Sequence, residues 1–229
     1  MEKGPQNILV IDVGGTNLKF RDSHHGEPVK IPSGPEMSAP RMVRDIKKAT
    51  KDWKYAAVSI GYPGPVRLGR PLAEPYNLGG GWISHDFEKS FGCPVRIVND
   101  AAMQALGSYD GGRMLFLGLG TGLGSAMIVE GVLEPMELAH LPYRKGRTYE
   151  DYVGLRGLKR MGKAKWRRHI FIVIDQLRHA LEAEYVVLGG GNSKLLKELP
   201  GGVRLGANTN AFVGGVRLWD VTAEPKIIK

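Results

Sequence analysis

Asp12 ends an apolar run over residues 8–11 and is followed by Val13, Gly14, Gly15, Thr16, Asn17 and Lys19. An apolar run bounded by glycines reads as a buried strand. The glycines let the backbone turn sharply and come close to a ligand. Thr16 and Asn17 add a hydroxyl and an amide to that turn. A carboxylate beside such a turn suits a phosphate or its magnesium ion. A tight hairpin with a solvated acid fits the same residues. Gly118, Gly120, Thr121, Gly122 and Gly124 repeat the pattern between two further apolar runs. The dinucleotide fingerprint does not fit, because Leu123 and Ser125 fall where its third glycine belongs, and no Walker loop occurs. Two glycine hairpins with threonine hydroxyls can instead grip a phosphate chain from two sides. Gly189, Gly190 and Gly191 follow a further apolar run, and a helix is expected from near Ser193. A strand, three glycines and a helix start form an anion site.

A second acid, Asp100, follows Asn99 and the apolar run 95–98, and precedes a helical stretch over 101–109. It can cap that helix, worth about 1 kcal/mol. It can also act as a base at the open edge of a sheet, where α/β proteins bind ligands. Asn77 lies in a glycine-rich loop ending at Trp82. An amide and a ring suit a sugar, and a surface turn anchored by Trp82 fits equally well.

The elements that position these groups can be read from periodicity. Residues 18–20 complete a hairpin with the first strand. Residues 24–40 read as extended or looped, and His24 and His25 as a surface pair, since neighbours on a strand face opposite ways. Ser38 caps a helix to about residue 51, with Met42, Val43 and Ile46 on one face. A strand over 55–60 ends at Gly61-Tyr62-Pro63-Gly64-Pro65, a rigid turn. Phe87 and Phe91 mark a short helix, and Cys93 a small buried residue. Strands follow at 114–119 and 126–129. Helical patterns follow at 150–161 and 163–181, the longer one burying Ile170, Phe171, Val173, Ile174, Leu177 and Leu181. After the strand at 185–188, a helix over 212–219 closes the chain and 221–229 is a loose tail. The paired glycine hairpins hint at an internal duplication.

The 229 residues suffice for one large or two small domains, and the 42% hydrophobic content can fill a core. The formal charge of +9 favours a polyanionic partner: nucleic acid, membrane surface or a phosphate-rich substrate. A single cysteine excludes an internal disulfide framework and any multi-cysteine metal site, and suits a reducing cytoplasm. No apolar run approaches the ~20 residues of a membrane span, and residues 1–6 do not read as a signal peptide.

Taken in order, Asp12-Val-Gly-Gly-Thr-Asn-Leu-Lys19, Asn99-Asp100-Ala101, the 118–124 loop and Gly189-Gly-Gly191 resemble the ROK sugar-kinase family, within the sugar kinase, Hsp70 and actin superfamily. The likeness spans nearly the whole chain, and the first two motifs are specific as a pair. It implies an α/β fold of actin-like, ribonuclease H-like type, with two domains and a cleft between them. The expected division is 1–102, completed by a C-terminal helix within 211–229, and 103–210. The same likeness implies that Asp100 is the catalytic base. Asn99, Asn77, Glu137, His140 and Glu150 would meet the sugar, although Ala139 replaces the glycine usual in the family's ExGH motif. Asp12 would serve magnesium, directly or through water. Gly14, Gly15, Thr16, Asn17, Lys19, Gly120, Thr121, Gly122, Gly189, Gly190 and Gly191 would line the donor phosphates.

Most members carry a cysteine-rich zinc loop between ExGH and the later glutamate. Here that segment is short, basic (Arg144, Lys145, Arg147) and free of cysteine, so no zinc is expected. The shortened loop, Trp166-Arg167-Arg168-His169 and Gly189-Gly-Gly-Asn-Ser-Lys194 are similar to the polyphosphate glucokinase branch. The implied partners are glucose or a related hexose, and polyphosphate or ATP. No nucleic acid or membrane is expected, and a homodimer is an analogy with the family. The basic segments at 144–147 and 159–168 are expected to recruit polyphosphate. A sugar-sensing protein without useful catalysis and a nucleic-acid binder are the readings from other classes. Retained Asp12 and Asp100 argue against the first. The second has only charge behind it.

Overall fold

A computed structural model describes residues 5, 7–23, 26–207 and 209–220. The histidine pair 24–25 and the tail 221–229 lie outside the described residues. The chain divides into two compact units. One runs through Met103 and takes in the segment starting at Ala211; the other is Gln104–Asn210.

In the first unit β1 (Ile8–Val13), β2 (Asn17–Arg21) and β3 (Val29–Pro32) form an antiparallel meander. After α1 (Ala39–Ala49), β4 (Ala57–Tyr62) joins β1 in parallel. A small ribbon of β5 (Val66–Arg67) and β6 (Arg70–Pro71) and the short α2 (Phe87–Phe91) lead to β7 (Val95–Asn99), which lies parallel to β4. The sheet order is β3-β2-β1-β4-β7. Every residue of β4 is buried, the mark of a strand covered on both faces. One face carries α1, whose Ser38 Oγ accepts from Arg41 N–H and whose Met42, Val43 and Ile46 enter the core with Leu9, Ile11 and Ile60. Ile8, Val10 and Ala57 meet Phe212 on the other face.

At the end of β7, α3 (Asp100–Ser108) leads to the second unit. There β8 (Arg113–Leu119), β9 (Leu123–Val129) and β10 (Val132–Met136) form a second meander. A ribbon of β11 (Pro142–Arg144) and β12 (Arg147–Thr148) precedes α4 (Tyr149–Val153) and α5 (Leu155–Ala180). Inside α5, Gly162 leaves the helical region at φ 74°, so α5 is two arms joined at a kink; the helix expected over 150–161 is broken at the extended Gly154 into α4 and the first arm, and the one expected over 163–181 is the second arm. Then β13 (Tyr185–Gly189) and β14 (Val203–Leu205) add in parallel, giving the order β10-β9-β8-β13-β14. Trp166, Ile170, Val173, Ile174 and Leu177 of α5 are buried in this unit's core. Finally α6 (Asn210–Arg217) lays Phe212 on the first unit's sheet, and Gly215 presents backbone directly to Val10.

Two expectations are corrected. No α-helix follows Gly191; residues Gly191–Leu195 form one 3₁₀ segment. Because β14 runs parallel to β13, the chain must return the length of a strand within residues 190–202, and Pro200-Gly201-Gly202 ends any helix early. Cys93 is only half-buried rather than fully enclosed, and burial pushes its thiol pKa up.

Candidate active site

On the first unit the parallel register sets Asp12 opposite Gly61 and Tyr62 opposite Asn99. Asp12 and the Asn99-Asp100 pair therefore stand at the carboxyl edge of one sheet, two strand spacings or roughly 10 Å apart. Such edges are where open α/β sheets bind ligands. Asp12 pairs across the hairpin with Lys19, whose Nζ lies 3.6 Å from Oδ2. The Asp12 side chain is 15% exposed and that of Lys19 42%. Burial raises the Asp12 pKa, and the Lys19 ammonium opposes it only in part.

The Gly14-Gly15-Thr16 turn is closed by Gly14 N–H donating to Asn17 O at 3.2 Å. Ser33 secures it from β3's end, with Oγ donating to Gly14 O (2.6 Å) and N–H to Thr16 O (2.9 Å). A methyl on Gly14 would sit 2.8 Å from Asn17 O, so the tight turn requires glycine there. A methyl on Gly15 would sit 3.2 Å from Asn77 Cβ, which makes Asn77 a neighbour of the turn. Trp82 is corrected as a sugar platform: it is fully buried, its Nε1–H donates to Gly79 O at 2.7 Å, and it packs on Tyr62 and Phe87. The anchored-turn reading of that loop holds.

The cap of α3 is Asn99. Its Oδ1 accepts from Ala101 N–H (3.0 Å) and Ala102 N–H (3.2 Å), and its Nδ2 donates to Gly64 O (3.1 Å). Asp100 Oδ1 accepts from Ala101 N–H at 2.8 Å, in the first turn of α3. The two side chains thus share the Ala101 N–H, and Asn99 alone of the pair also takes the Ala102 N–H in these bonds.

The second unit carries its own set. The β8–β9 turn closes with Gly120 N–H on Gly122 O, 3.2 Å. Three segments converge on it. Glu150 Oε2 accepts from Leu123 N–H (3.3 Å) while Oε1 meets Arg156 (3.2 Å). Leu155 N–H, at the start of α5, donates to Thr121 O (3.1 Å). Asn192 Nδ2 donates to Gly120 O (2.9 Å). Gly189 is in register with Gly118, and Gly190 turns at φ +79° with its Cα against Leu119. Gly120, Thr121, Gly122, Glu150 and Gly189, Gly190, Gly191 are thus one cluster. Ala139, between Glu137 and His140 in sequence, is buried and its carbonyl accepts from Glu150 N–H at 3.0 Å. The Glu137 and His140 side chains are exposed and 3.9 Å apart.

Ser33, Arg156 and Asn192 escaped the sequence reading as site residues. Asn192 stands beside the glycines and was legible in principle. Arg156 is six residues from its partner, a spacing that matches no helical face. Among the described residues, no group of three or more His, Cys, Asp or Glu is arranged to hold a metal. Magnesium commonly uses one or two carboxylates with substrate phosphates and water instead of a protein cage. The buried Asp12 carboxylate beside an open glycine turn fits that mode.

Three comparisons bear on this arrangement. A crystal structure of an inorganic polyphosphate/ATP-glucomannokinase from Arthrobacter sp. strain KM matches with TM-score 0.77 and 23% identity, covering 94% of this chain and 98% of that one. A ROK family glucokinase from Streptomyces griseus, in complex with glucose and AMPPNP, matches with TM-score 0.72 and 18% identity, covering 93% and 99%. The fold is therefore the actin-like α/β fold of the ROK sugar kinases. In sequence, a polyphosphate glucokinase of Mycobacterium tuberculosis is 26% identical over 207 residues, 80% of this chain and 77% of the relative. The model of the ROK family matches residues 8–134, and this chain belongs to that family.

Proposed function

We propose that this protein is a kinase that transfers a phosphoryl group from polyphosphate, ATP or both to glucose, giving glucose 6-phosphate. The observation that carries the reading is the shared sheet edge: Asp12 beside a glycine turn, and Asp100 in the first turn of α3, next to Asn99 at the end of β7. Asp100 accepts the proton of the sugar hydroxyl as that oxygen attacks the terminal phosphorus. Phosphoryl transfer otherwise needs positioning and charge neutralisation. On the first unit Gly14, Gly15, Thr16, Asn17 and Lys19 offer N–H, hydroxyl and ammonium donors suited to donor phosphates; the second unit carries its own set of N–H and hydroxyl donors in Gly120, Thr121, Gly122 and the 189–191 glycines. Asn77, Asn99, Glu137, His140 and Glu150 read sugar hydroxyls, each carboxylate accepting several hydrogen bonds. Asp12 would hold magnesium, directly or through water, and the ion would offset the charge of the donor phosphates.

Support comes from the polyphosphate glucokinase of Mycobacterium tuberculosis and the glucose-bound glucokinase of Streptomyces griseus. Mannose is a second acceptor to test, since the Arthrobacter structure is that of a glucomannokinase. A coupled assay with glucose and mannose, each with ATP and with polyphosphate, tests the reading. Sugar phosphate is expected with glucose and at least one donor. No product with either sugar and either donor overturns it.

A further inference from the structure

Both glycine turns have carbonyls held from outside, and each unit does this with its own residues. On the first unit Gly14 O accepts from Ser33 Oγ at 2.6 Å, and Thr16 O from Ser33 N–H at 2.9 Å. On the second, Asn192 Nδ2 donates to Gly120 O at 2.9 Å, and Leu155 N–H to Thr121 O at 3.1 Å. Gly122 O is taken within the turn by Gly120 N–H at 3.2 Å. In each turn one donor is a side chain from a separate segment. Ser33 directly follows β3, and Asn192 belongs to the 3₁₀ segment.

The direction of these carbonyls fixes that of the amides. Among the described residues no peptide bond is cis. In a planar trans peptide the C=O and the N–H of the next residue point opposite ways. With Gly14 O drawn to Ser33, the Gly15 N–H points away from Ser33. With Gly120 O drawn to Asn192 and Thr121 O to Leu155, the N–H groups of Thr121 and Gly122 point away from those donors. Gly15 and Thr121 are exposed, and Gly122 is partly so. The neighbouring amides are taken: Gly14 N–H by Asn17 O, Gly120 N–H by Gly122 O, and Leu123 N–H by Glu150. Orientation decides what such a turn can hold, because an N–H attracts a phosphate oxygen and a carbonyl repels it. Glycine accepts either orientation of the peptide plane, so an outside bond is needed to keep one of them. Ser33→Ala would leave the Ser33 N–H bond to Thr16 O in place and remove only the hold on Gly14.

We propose that Ser33 and Asn192 are positioning residues for the phosphoryl donor: each ties back one carbonyl of a glycine turn and so aims the Gly15 N–H and the Thr121 N–H outward at a phosphate oxygen. This rests on the reading of the two turns as donor-phosphate sites given above. It adds the residues that set the polarity of each turn without themselves touching phosphate.

The test follows the backbone amide resonances of the full-length protein as magnesium tripolyphosphate is added without sugar, so that no transfer takes place. Tripolyphosphate carries the chemistry that ATP and polyphosphate share. AMPPNP and medium-chain polyphosphate, added separately, tell the two sources apart by which moves the same amides at the lower concentration. In the parent the Gly15 and Thr121 amide protons are expected to shift, and those of Gly14 and Gly120 to stay. At saturation, Ser33→Ala is expected to lose the Gly15 response and keep that of Thr121, and Asn192→Ala to do the reverse. Each variant thus carries the other turn as its control for folding. Ser33→Thr keeps the hydroxyl and should restore the Gly15 response. In the kinase assay each alanine variant should lose about tenfold or more in kcat/KM for the donor, the worth of one N–H bond to a charged group, with the sugar KM within about twofold. Parental responses at both turns in the alanine variants, or equal losses at both turns in either of them, overturn the proposal, as does a sugar KM that rises as much as the donor KM. Selective amide shifts in a protein that phosphorylates neither glucose nor mannose would uphold the positioning and sink the kinase reading. Sugar phosphate formed at parental rates by both alanine variants would do the reverse.

Discussion

Asp12 is held at a cost. A carboxyl whose folded pKa lies above its unfolded value near 3.9 favours folding most below that value, and loses that contribution as pH rises through the folded pKa. At neutral pH the buried charge is therefore a net burden, which the half-exposed Lys19 eases only in part. Asp12→Asn should leave the melting temperature at pH 7 equal or higher, with the difference vanishing toward pH 4, while turnover falls by about 10² or more. Thermal unfolding across pH with parallel rate measurements checks this, and a less stable variant at pH 7 would mean that the Lys19 pair outweighs burial. Asp100→Asn should keep sugar binding and reduce turnover by ~10²–10⁴; near-parental rates would refute the base assignment. The place of these two acids at strand ends was legible because a glycine turn follows one and a helical stretch the other. The difference between Asn99 and Asp100 was not, since both can cap, both take the Ala101 N–H, and only the bond from Ala102 to Asn99 tells them apart. Trp82 was ambiguous for a related reason: a glycine-rich loop looks alike whether its indole faces in or out.

The helices and turns that carry the site make their own demands. Gly190 combines φ +79° with a backbone approach in which a methyl would lie 2.5 Å from Leu119 O. Gly190→Ala should cost at least about 2 kcal/mol, read as a lowered denaturation midpoint, because the clash is with backbone that cannot step aside. At α4, Asp151 is held below the usual carboxylate range, first by the Thr148 N–H. A depressed folded pKa gives stability that is present above the unfolded value and lost as pH falls through the folded one. Thr148→Ala should therefore cost about 1 kcal/mol at pH 7 and less near pH 3, measured by chemical denaturation at both. The two glycine hairpins were readable because apolar runs flank them on both sides. β3, β10 and β14 were not. All three are edge strands of three to five residues, mostly only partly buried, and β10 contains Pro135, which an edge tolerates because no neighbour needs its N–H. The 3₁₀ segment after Gly191 was hidden because β14's parallel pairing lies downstream of it.

Each unit repeats one plan: a three-stranded meander whose first strand takes a parallel partner, which takes a second in turn. The duplication suggested by the glycine hairpins thus extends to whole sheets, with Asp12 and Gly118 each near the end of the first strand of a meander. The net charge of +9 belongs to the molecule as a whole and bears on its kinetics. Raising ionic strength should raise the polyphosphate KM steeply and leave the glucose KM nearly flat, since only the polyanion is drawn by long-range charge. Parallel salt dependence for both substrates would count against electrostatic recruitment. The placement of α6 has a further consequence during synthesis. Residues 104–210 are continuous and leave the ribosome as one stretch, whereas the first unit waits for the last helix to be translated. Until Phe212 and Gly215 arrive, Ile8, Val10 and Ala57 share that face with Met103 but lack the rest of its cover. The usual order, in which the N-terminal unit matures first, is reversed here, and a nascent chain stalled before Ala211 should depend on chaperones to stay soluble.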